Sequence, residues 1–463
     1  MLMSSVGAPA GFQHQTDISQ FINLVDLSKY IDRLDEVAAI KGRGRVTEVV
    51  GLVIKAVVGG VRVGEMVLIR NNNAPNVRAE VVGFRDEQVM LMPIGEARGI
   101  GPDSEVIPTG KPFTIKCGFG LLGRVLDGLG EPMIGPPLTE TPGLIDWEVE
   151  RNPPDPMERK RVLHHLAIGL RAVDGLLTVG EGQRVGLFAG SGVGKSTLMG
   201  QIARNASSDV NVICLIGERG REVRDFIEES LGEEGMARSV LVCATSDTPS
   251  LVRLKSAFVS TAIAEYFREQ GKKVLFMMDS TTRFARAQRE IGLAVGEPPA
   301  RQGYPPSVFA MLPRLLERTG NSGSDGSITA LYTVLVAGGD MEEPISDEVR
   351  GILDGHIILN RALGAKNHWP AIDVLPSLSR VMNGLETLDP RHKPAANELR
   401  RVLAAYKKNE DLILLGAYTP GSDPETDYAI EKIDECNAFL KQGLYDQPTW
   451  EETIDHLASI FGL

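Results

Sequence analysis

Hydrophobic positions along the chain fall into three textures. From about Gly44 to Phe113, short apolar and β-branched runs (RVTEVVGLVIKAVV, EMVLIR, AEVVGFR, QVMLMPI) are separated by Gly, Asn and Pro. Strands spaced this closely predict a small barrel. From about Leu121 to Gly384, buried-type strands (RVGLFA, VNVICLIGE, SVLVCAT, KVLFMMD, SITALYTVLV) alternate with helical stretches. That alternation predicts an α/β domain on a largely parallel sheet. After Gly384, AANELRRVLAAYKKNEDLILLG and ETDYAIEKIDECNAFLKQ repeat apolar residues at helical spacing, which predicts a helical end. The expected division is a segment 1–27, a barrel 28–115, an α/β domain 116–384 and a helical domain 385–463. Ahead of the barrel, Ile18, Phe21, Ile22 and Val25 share one face of a short helix. Two readings stand for that face: docking on the chain's own barrel, or an arm for a partner.

Composition narrows the class. The 463 residues are 43% hydrophobic and 24% charged, ordinary for a soluble globular protein with substantial cores. A formal net charge of -12 argues against a general nucleic-acid binder, which needs clustered Lys and Arg. Cys117, Cys214, Cys243 and Cys436 lie far apart and form no C-x-x-C pair, so neither a zinc site nor a disulfide framework is expected. Cys214 and Cys243 sit in apolar runs and read as inert core thiols. A reducing, cytoplasmic setting follows. The first residues lack a charged stretch followed by an apolar one, and no membrane-spanning run is seen, so any membrane contact is expected through a partner.

The chemistry gathers at LFAGSGVGKSTLMGQIARN, Leu187 to Asn205. The loop matches G-x-x-x-x-G-K-[ST] with Ala189 in the first position. Gly190, Gly192 and Gly194 let the backbone curl around Ser191 and Val193, so that successive N–H groups point at phosphate oxygens. The helix that follows adds its positive end. Lys195 is placed to neutralise the β- and γ-phosphates, and the Ser196 hydroxyl to ligate Mg²⁺, with Thr197 adjacent. ATP and Mg²⁺ are the expected ligands.

A second magnesium-side carboxylate is expected from KKVLFMMDS, where Asp279 ends an apolar strand at the edge where such sheets bind ligands. Hydrolysis further needs a carboxylate to polarise water and cations about the γ-phosphate. CLIGERGREVRDFIEE offers Glu218 after Gly217, with Arg219, Arg221 and Glu222 behind it. The same residues read equally as the solvated start of a charged helix. Arg283 in DSTTRFARAQRE reads either as a phosphate contact or as a surface arginine.

Four segments together carry a resemblance: AGSGVGKST, LIGERGREV, MMDSTTRFARAQREI and PAIDVLPSLSR. They resemble the ATPases of bacterial type III protein export, flagellar and injectisome alike, which in turn are similar to the catalytic β subunit of F-type ATP synthase. The resemblance spans nearly the whole chain, and Pro370 to Ser379 fits the rotary-ATPase signature P-[SAP]-x-[DNH]-x-x-x-S-x-S at each fixed position. It implies an α/β P-loop (RecA-like) ATPase domain with an N-terminal β-barrel domain and a C-terminal helical domain. It implies that Glu218 activates water, that Arg219 and Arg283 contact phosphate, and that Arg380 is an arginine finger lent to a neighbouring subunit. Trp369, where Tyr is more usual, and Tyr418 fall where the family places aromatics about adenine, though either could be core.

The resemblance also implies a homohexamer acting peripherally at the cytoplasmic membrane. Its implied partners are a coiled-coil stator protein at the N-terminal segment, a central stalk protein, the export gate and chaperone–substrate complexes. A similar F-type β subunit carries Lys-Thr in its loop and lacks a functional finger, whereas this chain carries both glutamate and finger. A transcription-terminator-like translocase is a further relative, but the barrel offers no stacking platform beyond Phe84, and no nucleic-acid partner is expected. The GSDPETDYAI and AFLKQG segments lean toward the flagellar branch.

Overall fold

The computed structural model describes residues 42–71, 75–102 and 104–463. Ile18, Phe21, Ile22 and Val25 lie outside the described residues.

The first texture folds as expected. Strands β1 (Gly44–Val50), β2 (Val53–Val57), β3 (Glu65–Arg70), β4 (Val77–Arg85), β5 (Gln88–Ile94) and β6 (Glu105–Pro112) close into a barrel of order β1-β2-β5-β4-β3-β6. Alternation fills the inside with Val46, Ile54, Val67, Ala79, Leu91 and Val106, each at most 1% exposed. Pairing of β1 with β6 leaves the barrel no free edge.

A short ribbon, β7 (Thr114–Cys117) with β9 (Ile145–Glu148), leads into the central sheet. That sheet comprises β8 (Val125–Asp127), β10 (Arg184–Ala189), β11 (Val210–Glu218), β12 (Ser239–Thr245), β13 (Lys273–Asp279), β15 (Ser327–Leu335), β16 (Gly355–Leu359) and β17 (Ile372–Ser379), with β14 (Gly320–Asn321) edging β15. The order is β17-β16-β10-β15-β13-β11-β12-β8. All neighbours on this path are parallel except β16 and β17. The loop between those two holds one short helix (Arg361–Ala365) and no crossover, so the chain returns antiparallel. Every residue of β11 is buried, as helices on both faces of a parallel sheet require.

Two buried ionic contacts fix this layer. Arg318 forks onto Glu265 with bonds of 2.8 and 2.7 Å and donates to the Val149 carbonyl at 2.8 Å. Lys255, on the helix Ser250–Glu269, pairs with Glu80 of the barrel at 2.7 Å and also with Glu150, tying barrel to sheet. The four cysteines are free and buried, and burial pushes the Cys214 and Cys243 thiols up to about 12, which keeps them inert.

The helical end forms helices His392–Leu414, Pro424–Leu440 and Trp450–Ile460. The last is opened by a capping box between Thr449 and Glu452, a signal that the apolar periodicity alone does not reveal. Phe439 packs against Gly175, where an added Cβ would meet the ring at 2.9 Å. Trp450 stacks on His165 at 3.8 Å between centroids. Among the described residues, no helix is long and apolar enough to cross a membrane.

Candidate active site

Strand β10 ends at Ala189, and the chain turns through Gly190–Gly194 into the helix Lys195–Asn205. Gly192 and Gly194 have φ of 76° and 79°, the left-handed region that glycine enters without strain. No side chain caps the helix, so its first N–H groups face outward to a ligand. Ser196 and Thr197 are exposed beside them.

The sheet order brings the two distant carboxylates to this loop. Lys195 donates its ammonium to Asp279 Oδ1, and lies 3.6 Å from Glu218 Oε1. Thr333 Oγ1 donates to the same Asp279 oxygen at 2.7 Å. Glu218 ends β11 just past Gly217, where the register with β12 shifts. A Cβ on Gly217 would meet the Arg283 side chain at 2.9 Å, so glycine there is what lets Arg283 approach, to 3.3 Å from Glu218 Oε1. Burial pushes the Glu218 carboxyl up to about 7; a hydrogen bond with Glu222 and the Asp279 charge act in the same direction, and Lys195 and Arg283 oppose them. A carboxylate poised near neutrality is suited to general-base work.

Other expected residues fall elsewhere. The Arg219 side chain is 80% exposed and pairs with Glu222 at 3.4 Å. Trp369 covers the loop: a Cβ on Gly194 would stand 2.9 Å from its ring. With Val193, Leu198, Leu359 and Pro370 it lines a cavity of about 440 Å³. Tyr418 does not line that cavity. Its hydroxyl reaches the Asp423 carbonyl and Asp427, both at 3.0 Å, in the turn between two C-terminal helices. Arg380 follows β17, whose Ser379 pairs with Gly355 at the start of β16. It therefore sits at the sheet edge opposite to its own phosphate loop.

Three comparisons with known proteins say what the chain is similar to. Residues 169–379 match the family model "ATP synthase alpha/beta family, nucleotide-binding domain", residues 46–110 the corresponding "beta-barrel domain", and residues 388–459 "T3SS EscN ATPase C-terminal domain". The chain is 52% identical over 434 residues to the flagellum-specific ATP synthase of Bacillus subtilis (strain 168), covering 93% of this chain and 98% of that protein. It is 54% identical over 418 residues to the type 3 secretion system ATPase of Xanthomonas euvesicatoria, covering 90% and 93%. The chain belongs to the flagellar and type III secretion ATPase family. The assembled ATPase EscN of enteropathogenic E. coli superposes with a TM-score of 0.82 at 45% identity, covering 90% of this chain and 99% of that one.

As a member of this family the chain is an ATPase, and the EscN-type C-terminal domain sets it apart from an F-type β subunit. Three residues beside this candidate site escape sequence reading. Thr333, a polar residue in the apolar run SITALYTVLV, orients Asp279. Arg361 donates through Nη2 to the Ser191 carbonyl at 2.7 Å, holding the outer side of the loop. Gln442 donates its backbone N–H to the Trp369 carbonyl at 2.9 Å and closes the cavity from the C-terminal domain.

Proposed function

We propose that this ATPase works as a homohexameric ring in which each nucleotide site is completed by the neighbour's Arg380, and that hydrolysis there serves type III protein export. One observation carries the reading. Arg380 follows Ser379, which pairs with Gly355 at the start of β16, and β16 runs parallel to β10 with His356 beside Gly186. Arg380 is thus level with the start of β10, while the phosphate loop leaves its other end; at ~3.3 Å per residue, the six residues of β10 hold the two levels ~17 Å apart. A cation so placed is out of reach of its own γ-phosphate and open to another subunit's. The solved relative EscN is described as assembled, and a second structure as a complex with its central stalk EscO, which supports a ring and a stalk partner for this chain.

In this reading ATP lies with its phosphates against Gly190–Thr197 and its adenine in the cavity under Trp369. The exposed Ser196 hydroxyl and the Asp279 carboxylate are the hard oxygen donors at this loop and would hold a magnesium ion, which would supply positive charge against the phosphates. Lys195 moves from Asp279 toward the β- and γ-phosphates. Glu218 orients and polarises water, Arg283 steadies Glu218 and the γ-phosphate side, and Arg219 contributes from the rim. Segment 1–27 binds the coiled-coil stator, and the protein acts in the cytoplasm, peripherally at the membrane, with the export gate and chaperone–substrate complexes as partners. Flagellar and secretion relatives match at 52% and 54%, which supports a role in type III export without favouring either branch.

Mixing tests the shared site. Arg380→Ala keeps an intact loop and Lys195→Ala an intact finger, and each alone should be nearly inactive, as finger loss typically costs ~10³–10⁵ in rate. Co-assembled rings, verified by native mass spectrometry, should regain hydrolysis. A silent mixture of verified mixed rings would count against sharing.

A further inference from the structure

The backbone that carries Arg380 is held by a network rooted in Asp354. The Asp354 carbonyl accepts the Arg380 N–H at 3.0 Å. It also accepts Gln183 Nε2 at 3.0 Å, and the same Nε2 reaches Ser379 Oγ at 3.2 Å. Ser379 Oγ in turn donates to the Thr178 carbonyl at 2.8 Å. The Asp354 carboxylate is gripped by Arg184, through Nε at 3.1 Å, Nη2 at 3.3 Å and the backbone N–H at 3.1 Å. The Arg184 carbonyl accepts the Asp354 N–H at 2.9 Å, which closes the clamp from the other side.

The finger's tip is held differently. Among the described residues, the Arg380 guanidinium makes one long contact, donating to the Arg350 carbonyl at 3.5 Å, and the residue is exposed. A fixed base with a lightly held cation at its end is what delivery into a second site requires, because positional error at a reacting centre is costly.

We propose that Asp354, clamped by Arg184, is a positioning residue for Arg380: it fixes the backbone from which the finger reaches the neighbouring site. This rests on the reading of Arg380 as a finger acting in trans. Arg184 also ion-pairs with Glu317 at 2.5 Å, so removing the Asp354 carboxylate leaves that half-buried cation with a partner, and the variant is expected to fold.

The test is Asp354→Ala in the full chain. Turnover at saturating ATP should fall ~10–10²-fold, the scale of a slight misplacement, while affinity for a non-hydrolysable ATP analogue stays within about twofold. Asp354→Asn, which keeps an oxygen for Arg184, should recover part of the loss. Mixed with Lys195→Ala subunits, Asp354→Ala should regain hydrolysis as Arg380→Ala does, because its intact loop then receives an undisturbed finger. Weakened analogue binding, or silence in this mixture while the Arg380→Ala mixture recovers, would place the defect in the variant's own loop or fold and overturn the proposal alone. Silence in both would remove the shared site and this proposal with it.

Discussion

The Lys195 ammonium lies 3.6 Å from Glu218 Oε1 while it donates to Asp279. One cation thus bridges the carboxylates at the ends of two strands, and any phosphate entering the loop competes with both for it. Burial nevertheless dominates at Glu218 and lifts it to about 7.

Glu218→Gln should bind Mg·ATP yet turn it over at least ~10²-fold more slowly, as loss of a positioned base does. In the parent enzyme kcat/KM should fall as pH drops below about 7, since the base must be ionised, and the variant should lose that limb. Stability should run the other way. A carboxyl whose folded value exceeds its ordinary 4.5 contributes stability present below 4.5 and lost as pH rises through about 7. Thermal melts should therefore show Glu218→Gln gaining on the parent at about pH 8 and losing that advantage at about pH 4. Unchanged turnover in the variant at saturating ATP would move the base elsewhere, with Glu222 next in line.

Trp369 and Tyr418 should separate in a steady-state assay. Stacking of a base on an aromatic ring is worth ~1–3 kcal/mol, so Trp369→Ala should raise KM for ATP ~5–10²-fold with kcat little changed, and Trp369→Tyr should stay near the parent. Tyr418→Ala should leave KM unaltered, because the residue is held in the turn by Asp423 and Asp427 and does not line the cavity. A raised KM in Tyr418→Ala, at unchanged stability, would return that residue to the adenine pocket.

Arg361 anchors the loop through a single carbonyl, that of Ser191. Its removal should cost about one exposed hydrogen bond: Arg361→Ala raises KM for ATP ~2–10-fold at near-constant kcat, and Arg361→Lys recovers part. A fall in kcat at unchanged KM would contradict a role confined to loop position.

Arg318 and Glu265 are 1% and 2% exposed, and neither touches the site. Arg318→Met strands a buried carboxylate and should cost ~3–5 kcal/mol in denaturant unfolding. The double variant Arg318→Met, Glu265→Leu should lose much less, because no unpaired charge remains. Equal losses in single and double variants would assign the cost to packing rather than charge.

The amino-acid order alone put Lys195 and Ser196 on a glycine loop and Asp279 at a strand end, because each is placed by its own neighbours; Glu218 read equally as the start of a charged helix, and only the resemblance singled it out. A glycine loop positions the lysine and serine, and an apolar run that stops at a carboxylate puts it at a strand end. Barrel, parallel sheet and helical end were legible for the same reason: side-chain period is a local property. Which ends meet is not. Thr333 reaches Asp279 only because β15 lies beside β13, and Arg361 reaches Ser191 only because β16 lies beside β10. Gln442 joins Trp369 through the segment that follows the helix Pro424–Leu440, far along the chain. Tyr418 was expected at adenine and sits in a helical turn, and no spacing could have settled that. Arg380 is the clearest case. Its motif could be read along the chain, but the antiparallel return of β17 carries it to the edge opposite its own phosphates, and strand direction is decided only when the sheet assembles.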